Sequence, residues 1–479
     1  MTDKIMVQPE LKAELDRIDS IYQNRSRWTL IISALILIYL TTSFIQFDLG
    51  SISQKWHLER ASRFILDTYA HKDHVTLRWS KPDEFRIAFE GGYREIYTEP
   101  PEWFSKNNET GASTVEFDNG GRISFFKDRV EMTNWPNTNE TFVFKLGYTK
   151  KTGRFGKQEI VIRPEVVGYE NRRQDLPSWI QWTENNIVVR PSLFERLHVG
   201  PSRAEIHRYE IGWKYFWFDF NSPLVNIGPI EALYLAFSNV RIDPNQSNAS
   251  LVLSEFLDNE IWGHKRLFLA MRDTILMALL GTLLASVVGL PLAFMAAKNI
   301  TSLVTFRFIL RRLFDILRGI DVLIWSIIFL RAFGPGLFTG IFAIMFTDTG
   351  TFGKIMSEAI ENTDPKQHEG IRSTGASRIQ QHRFGIIPQI FPVFISQSLY
   401  YLESNTRSAT IIGAMGAGGV GLEFLGALQT GNDFENVAYI ALMVLITVIM
   451  IDMISAWLRR RLIGIENEKI IKNARKKYI

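Results

Sequence analysis

The sequence predicts an α-helical polytopic membrane protein of six crossings, with a β-rich extracytoplasmic domain inserted between the first and second crossings. Three observations predict it. Apolar runs approach the ~20 residues that cover a ~30 Å hydrocarbon core, most clearly TILMALLGTLLASVVGLPLAFMAA at 274–297. Between Gly50 and Gly263, charge and aromatic residues recur throughout and apolar residues alternate with period two. Arginines and lysines gather beside the apolar runs, the bias that marks the cytoplasmic ends of membrane segments.

Composition narrows the function. The chain of 479 residues has a net charge of +4 and no cysteine, so disulfides and thiolate metal sites are excluded. Its eight histidines include no HExxH-like pair, and no metal is expected. Basic residues cluster at membrane flanks instead of forming a nucleic-acid stripe, so no nucleic-acid partner is expected. A phosphate loop G-x-x-x-x-G-K-[ST] is absent, which assigns any nucleotide chemistry to another chain.

Residues 1–28 are polar, with Leu11, Leu15, Ile18 and Ile21 at helical spacing, and predict a cytoplasmic amphipathic segment. The run 29–47 is the first crossing, flanked by Arg25 and Arg27. It is too long for a signal peptide and lacks an Ala-x-Ala exit, so it reads as an uncleaved anchor with its N-terminus inside.

Residues 48–265 form the β-rich domain. Alternating runs at 75–79, 85–89, 122–126, 142–146 and 160–163 are separated by turn chemistry at Gly91-Gly92, at 118–121 and at 134–139. No nucleophile elbow or defensible carboxylate cluster is present, so a docking or inert insertion is expected. The aromatic block 213–220, WKYFWFDF, fits either a buried strand or an interfacial belt, and 230–237 is amphipathic.

Residues 266–462 hold the other five crossings, at 274–297, 319–333, 337–360, 394–413 and 437–458. Lys298, Arg307, Arg311, Arg312 and Arg318 form a basic, hence inside, loop, whereas the loop 415–436 carries only Glu423, Asp433 and Glu435. Arg459, Arg460 and Arg461 close the last crossing, and the basic tail 463–479 is cytoplasmic like the N-terminus.

The segment 364–392, DPKQHEGIRSTGASRIQQHRFGIIPQIFP, lies on the inside. It predicts a short helix over 368–381, with Glu369 in its first turn and Arg378 and Arg383 near its end, as the helix dipole favours. Gly375-Ala376 leaves one face bare enough for close approach by another protein, and Pro388 and Pro392 restrict the chain beyond. On physical grounds it fits either a plug for a partner's socket or an ordinary basic loop.

Charges near the membrane centre cost roughly 2.5–3.5 kcal/mol on insertion scales, so Asp321, Asp348, Glu403 and Arg407 should pair or line water. Glu403 and Arg407 are four apart on one helix and can pair. Arg331 can snorkel. Gly416, Gly418 and Gly421 formally satisfy G-x-G-x-x-G, but no strand precedes them; close packing or a re-entrant bend explains them better.

The order Glu369, Gly375, Ile387-Pro388 resembles the EAA coupling loop of ABC importer permeases. The region 273–462 resembles the phosphonate-type branch, through TILMALLGTLLA, PLAFMAAKN, FGKIMSEAIE, EGIRSTGASRIQQHRFGIIPQIFP, ESNTRSAT and GAMGAGGVG. Gly370-Ile371 stands in place of the usual double alanine, Gly385 in place of isoleucine, and Asp321 and Asp348 depart from the branch. The resemblance implies a type I importer permease in the bacterial cytoplasmic (inner) membrane, carrying a phosphonate or related phosphorus oxyanion. It implies a second permease subunit, two ABC ATPase subunits holding ATP-Mg, an extracytoplasmic binding protein and the lipid bilayer as partners. It implies neither an enzyme nor a cofactor in this chain. Glu369, Gly370, Gly375, Ala376, Arg378, Ile387 and Pro388 are then the ATPase-coupling residues, and Asp321, Asp348, Glu403, Asn405, Arg407, Gly416, Gly418 and Gly421 the pore or gate candidates. Alternatives are a permease for another small solute, a receptor sensing through the β-rich domain, and a membrane-bound enzyme. The short tail after Leu462 argues against the receptor, and the missing site against the enzyme.

Overall fold

The computed structural model describes residues 9–51, 58–89, 96–107, 111–135, 138, 140–152, 158–430 and 434–478. The chain divides between Ile65 and Leu66 into two compact bodies. The first contains α1 (Pro9–Gln46), one unbroken helix, of which Arg25–Gln46 is apolar enough to cross a membrane. The separate amphipathic segment expected over 1–28 is therefore continuous with the first crossing. No glycine or proline follows Pro9 to interrupt it. Residues 1–8, and the side chains of Leu11, Leu15, Ile18 and Ile21, lie outside the described residues. The helix α2 (Leu58–Thr68) spans the division.

The second body begins with a two-sheet sandwich. One antiparallel sheet has the order β2 (Lys81–Phe89), β1 (Ala70–Arg78), β12 (Arg203–Ile211), β11 (Glu195–Val199), β10 (Ile187–Val189), β9 (Ile180–Trp182). The other runs β3 (Phe104–Lys106), β4 (Ser113–Glu116), β5 (Arg122–Phe125), β6 (Arg129–Thr133), β7 (Phe142–Thr152), β8 (Gln158–Val166). Alternation puts Val75, Leu77, Ile87, Leu197 and Ile206 of the first sheet against Ile123, Phe125, Phe142 and Phe144 of the second in one buried cluster. Each fully buried large side chain contributes about 1.5–3 kcal/mol. Without disulfides, this core is what holds the domain together. The five alternating runs read from the sequence fall on β1, β2, β5, β7 and β8; the Gly91-Gly92 turn and parts of 134–139 lie outside the described residues.

The aromatic block after β12 is neither strand nor free belt. It follows Gly212, whose φ of +118° turns the chain out of the sheet, and it packs into a knot with the membrane helices. Phe216 lies 5.0 Å from Trp262 and 5.1 Å from Tyr439 between ring centroids, and Trp213 lies 5.2 Å from Trp262. Buried His264 spans the knot, with Nε2 at 2.7 Å from the Phe216 carbonyl and Nδ1 at 2.8 Å from the Tyr439 hydroxyl. A carbonyl only accepts, so Nε2–H donates to it and Nδ1 accepts from tyrosine.

Beyond α3 (Pro229–Ala236) and α4 (Asn248–Leu257), the helical core comprises α5 (His264–Ala296), α6 (Val304–Gly319), α7 (Val322–Phe333) and α8 (Leu337–Glu361). It continues with α9 (Pro365–Ser373), α10 (Arg378–Gln381), α11 (Ile387–Ile412), α12 (Val420–Thr430) and α13 (Phe434–Tyr478). Helices α6 and α8 meet closely because a Cβ on Gly353 would stand 2.3 Å from the Phe314 ring.

The six expected crossings are not all reproduced by helix length and composition. Among the described residues three helices qualify, Arg25–Gln46, His264–Ala296 and Phe434–Leu462, with a fourth if the bent pair Arg378–Ala417 and Val420–Thr430 counts as one span. At 12 residues, α7 reaches only about 18 Å. Helix α8 is long enough at 25 residues but carries Asp348, Lys354 and a polar run. Its polar stretch 347–350 is uninterrupted helix. The expected basic loop 298–318 is largely α6, because Leu310 and Phe314 recur at helical spacing on a buried face that a reading by charge alone overlooks. The expected outer loop 415–436 is largely α12, and Asp433 lies outside the described residues.

Candidate functional site

The coupling segment is two short helices at an angle, not one. Helix α9 is capped by Asp364, whose side chain accepts from the Lys366 N–H at 3.0 Å, and Pro365 occupies its first turn. It stops at Thr374 because Gly375 has φ +80°, a left-handed conformation that costs other residues roughly 1–2 kcal/mol. A Cβ on Gly375 would meet nothing within 4 Å, so the glycine is needed for the bend rather than for packing inside this chain. A capping box between Ser377 and Gln380 then starts α10. From there a π turn, His382–Ile386, runs directly into α11. Pro388 sits in the first turn of α11, so it begins the helix instead of holding the chain apart from it.

Of the residues expected to couple, Glu369, Gly370, Gly375, Arg378, Ile387 and Pro388 are exposed and Ala376 is half-buried. Two further side chains stand exposed beside them. Ile379 is 79% exposed and Phe384 60% exposed, an apolar pair that a reading for charge and glycine passes over. Gly385 is buried against His368 and Ile371, which lets α9 lie on the π turn.

The base of the segment is tied down. Gln389 accepts from the Asp364 N–H at 2.9 Å and donates to the Gly385 carbonyl at 2.6 Å. Glu361, at the end of α8, accepts from the Lys298 N–H at 2.7 Å and pairs with Arg311 of α6, while Asn299 donates to the Ile360 carbonyl at 2.8 Å. The ends of α5 and α8 thus meet the middle of α6 where the exposed helices begin.

Inside the core, the structure joins two of the pore candidates and adds a third partner. Buried Asn405 of α11 donates to the buried carboxyl of Asp348 on α8 and to Thr282 of α5, the latter at 2.8 Å. Glu403 and Arg407 form the expected pair at 3.0 Å, with Arg407 59% exposed. Asp321 is exposed and caps α7 by accepting from the Leu323 N–H at 2.8 Å, which gives it a structural role that needs no pore. Gly416 and Gly418, at φ +110° and +86°, make the break between α11 and α12, which bend by 64°. Gly421 lies inside α12, where a Cβ would stand 1.8 Å from the Thr410 carbonyl.

The sandwich holds a second polar constellation, which sequence spacing could not reveal. Register sets His74 opposite His207 and Thr76 opposite Glu205. The two imidazoles stack at 4.0 Å, and Glu205 lies 3.3 Å from His74 Nδ1 and 3.8 Å from His207 Nε2. Burial pushes the His207 imidazole down to about 4, against the pull of the nearby Glu205 carboxylate, and the neighbouring His74 adds to the lowering. Burial alone would raise the Glu205 carboxyl, but the adjacent His207, the His74 contact and the nearby Arg203 hold it well below the usual carboxylate range.

A capped, bent, exposed helical pair at the foot of converging apolar helices fits the class of multi-pass membrane transport components. Consistent with that class, residues 289–464 match the family described as binding-protein-dependent transport system inner membrane component. The phosphite transport system permease protein PtxC of Stutzerimonas stutzeri is 34% identical over 206 residues, covering 43% of this chain and 74% of that protein. The phosphate-import permease protein PhnE of Mycolicibacterium smegmatis is 32% identical over 191 residues, covering 40% of this chain but only 36% of the relative. Among solved structures, an inward-facing MetNI methionine ABC transporter chain is 20% identical over 41% of this chain and 95% of its own, with a TM-score of 0.37. The chain belongs to the phosphonate-type permeases of ABC importers.

Proposed function

We propose that this chain is the membrane-crossing permease of an ATP-driven importer that carries a phosphonate, phosphite or related phosphorus oxyanion. An extracytoplasmic binding protein delivers the solute, and two separate ATPase subunits supply the work to a permease dimer. The observation that carries this reading is the exposed pair α9 and α10 around Gly375, clamped at its base by Gln389. A partner groove closing on Ile379 and the bare Gly375-Ala376 waist pulls directly on α11, because the π turn joins them without a flexible linker. Rotation of α11 against α5 and α8 then changes the side to which the path opens. The Asp348–Asn405–Thr282 cluster and the glycine break at 416–418 are the moving polar parts. On this reading both termini and the coupling helices face the cytoplasm and the sandwich faces outward.

Two experiments test it. In proteoliposomes with the ATPase and binding protein, Gly375→Trp should abolish solute-stimulated ATP hydrolysis and uptake while insertion stays normal; uptake at the parent rate refutes the coupling role. Since the natural chain has no cysteine, single cysteines at Gly375 and Trp79 can be labelled on a clean background. Labelling from one side of the bilayer refutes the topology.

A further inference from the structure

The outward face of the sheet β2-β1-β12-β11 carries a cavity of about 680 Å³, within the range of small-molecule sites. Its lining holds seven lysines and arginines against three carboxylates. The same strands bury Val75, Leu77, Ala204 and Ile206 on their other face, so alternation alone accounts for polar residues here but not for their sign.

Register makes the sign costly. Arg78 stands directly opposite Arg203, and Arg196 directly opposite His207; facing like charges destabilise a strand pair. Glu205 is the central carboxylate, and its oxygens serve His74, His207 and Arg203 together. Among the described residues Arg78 and Arg196 have no ion-pair partner, and Arg196 Nε is buried without a hydrogen-bond acceptor. Facing cations, and a buried guanidinium nitrogen with no acceptor among the described residues, suit an acceptor-rich, negatively charged ligand.

We infer that this cavity binds a small, multiply charged oxyanion of the phosphate or phosphonate class, held by Arg78, Arg196 and Arg203. His74, Glu205 and His207 lie close enough to suit a divalent cation. Yet the stacked rings share their one carboxylate, and the surrounding guanidinium groups repel a cation. A planar fork of N–H donors matches tetrahedral oxyanions better. The site is distinct from the membrane path and does not rest on the transport reading: binding is read on this chain alone, uptake on the assembled importer.

The test is equilibrium titration of the full chain in detergent and in nanodiscs, with inorganic phosphate and methylphosphonate as probes and zinc alone as the competing one. Phosphate should bind saturably, and Arg203→Ala and Arg78→Ala, both at exposed positions, should each weaken it by about tenfold or more. Arg122→Ala, on the other sheet and paired with Glu116, should leave it unchanged. Absence of saturable oxyanion binding, binding indifferent to Arg78 and Arg203, or zinc binding lost with His74→Ala and His207→Ala in place of oxyanion binding overturns the inference.

Discussion

Replacing Asn405 with leucine separates packing from pathway in the membrane core. The substitution keeps the side chain's approximate volume but removes the amide that donates to Asp348 and Thr282. The Thr282 hydroxyl can turn to a carbonyl one helical turn back, so the loss falls mainly on the Asp348 carboxyl, 6% exposed. A buried group stripped of its partner costs ~1–3 kcal/mol, more when charged, so Asn405→Leu should destabilise by about 3 kcal/mol. Removing both partners is nearly neutral in such cases. Asp348→Val with Asn405→Leu should therefore recover at least half of that loss. Unfolding of the purified chain by detergent titration gives the three differences needed for a double-mutant cycle. If the double variant is as unstable as the sum of the singles, the two side chains are not coupled and the argument fails. If the cluster also serves transport, the double variant, though refolded, should import at less than a tenth of the parent rate.

Two further outcomes follow from the sandwich and its junction. Tyr439→Phe removes the hydroxyl that donates to His264, so stability should fall by about 0.5–1.5 kcal/mol and protease cleavage near Trp213 should quicken; an unchanged digestion pattern counts against the knot as a fastening. The folded His207 holds its pKa at about 4 against ~6.5 unfolded, so between those values only the unfolded chain binds the proton. Stability should thus be flat above pH 6.5 and fall as pH drops toward 4, by on the order of 3 kcal/mol in total. Thermal unfolding of His207→Gln beside the parent, from pH 8 to 4.5, should show a flatter acid limb; superimposable curves refute the assignment.

The sequence makes legible those features that local pattern encodes. The core strands announce themselves where apolar and polar residues alternate cleanly, as in β1 and β7. Strands β11 and β12 do not, because the paired Glu195 and Arg208 occupy buried positions on the inner face and break the apolar period. Asp348 and Asn405 are each recognisable as polar residues in apolar helices, but their pairing with Thr282 depends on how α5, α8 and α11 pack. The exposed, charged character of the coupling segment is readable, but its bend is not: Gly375 reads as a smooth surface, whereas its positive φ makes it the corner. Counting crossings by charge asymmetry likewise passes over α6, whose arginines lie on a helix with one apolar face.

The 45 residues of α13 extend about 68 Å at 1.5 Å per residue, more than twice the ~30 Å of hydrocarbon available to them. The sandwich grips this rod near one end, through Tyr439 in the aromatic knot and through Glu435, 4.0 Å from Lys72 of β1. A tilt of about 5° there sweeps the opposite tip through about 6 Å. On the proposed topology, whatever seats itself on the sandwich holds the short arm of a lever whose long arm emerges on the other side of the bilayer.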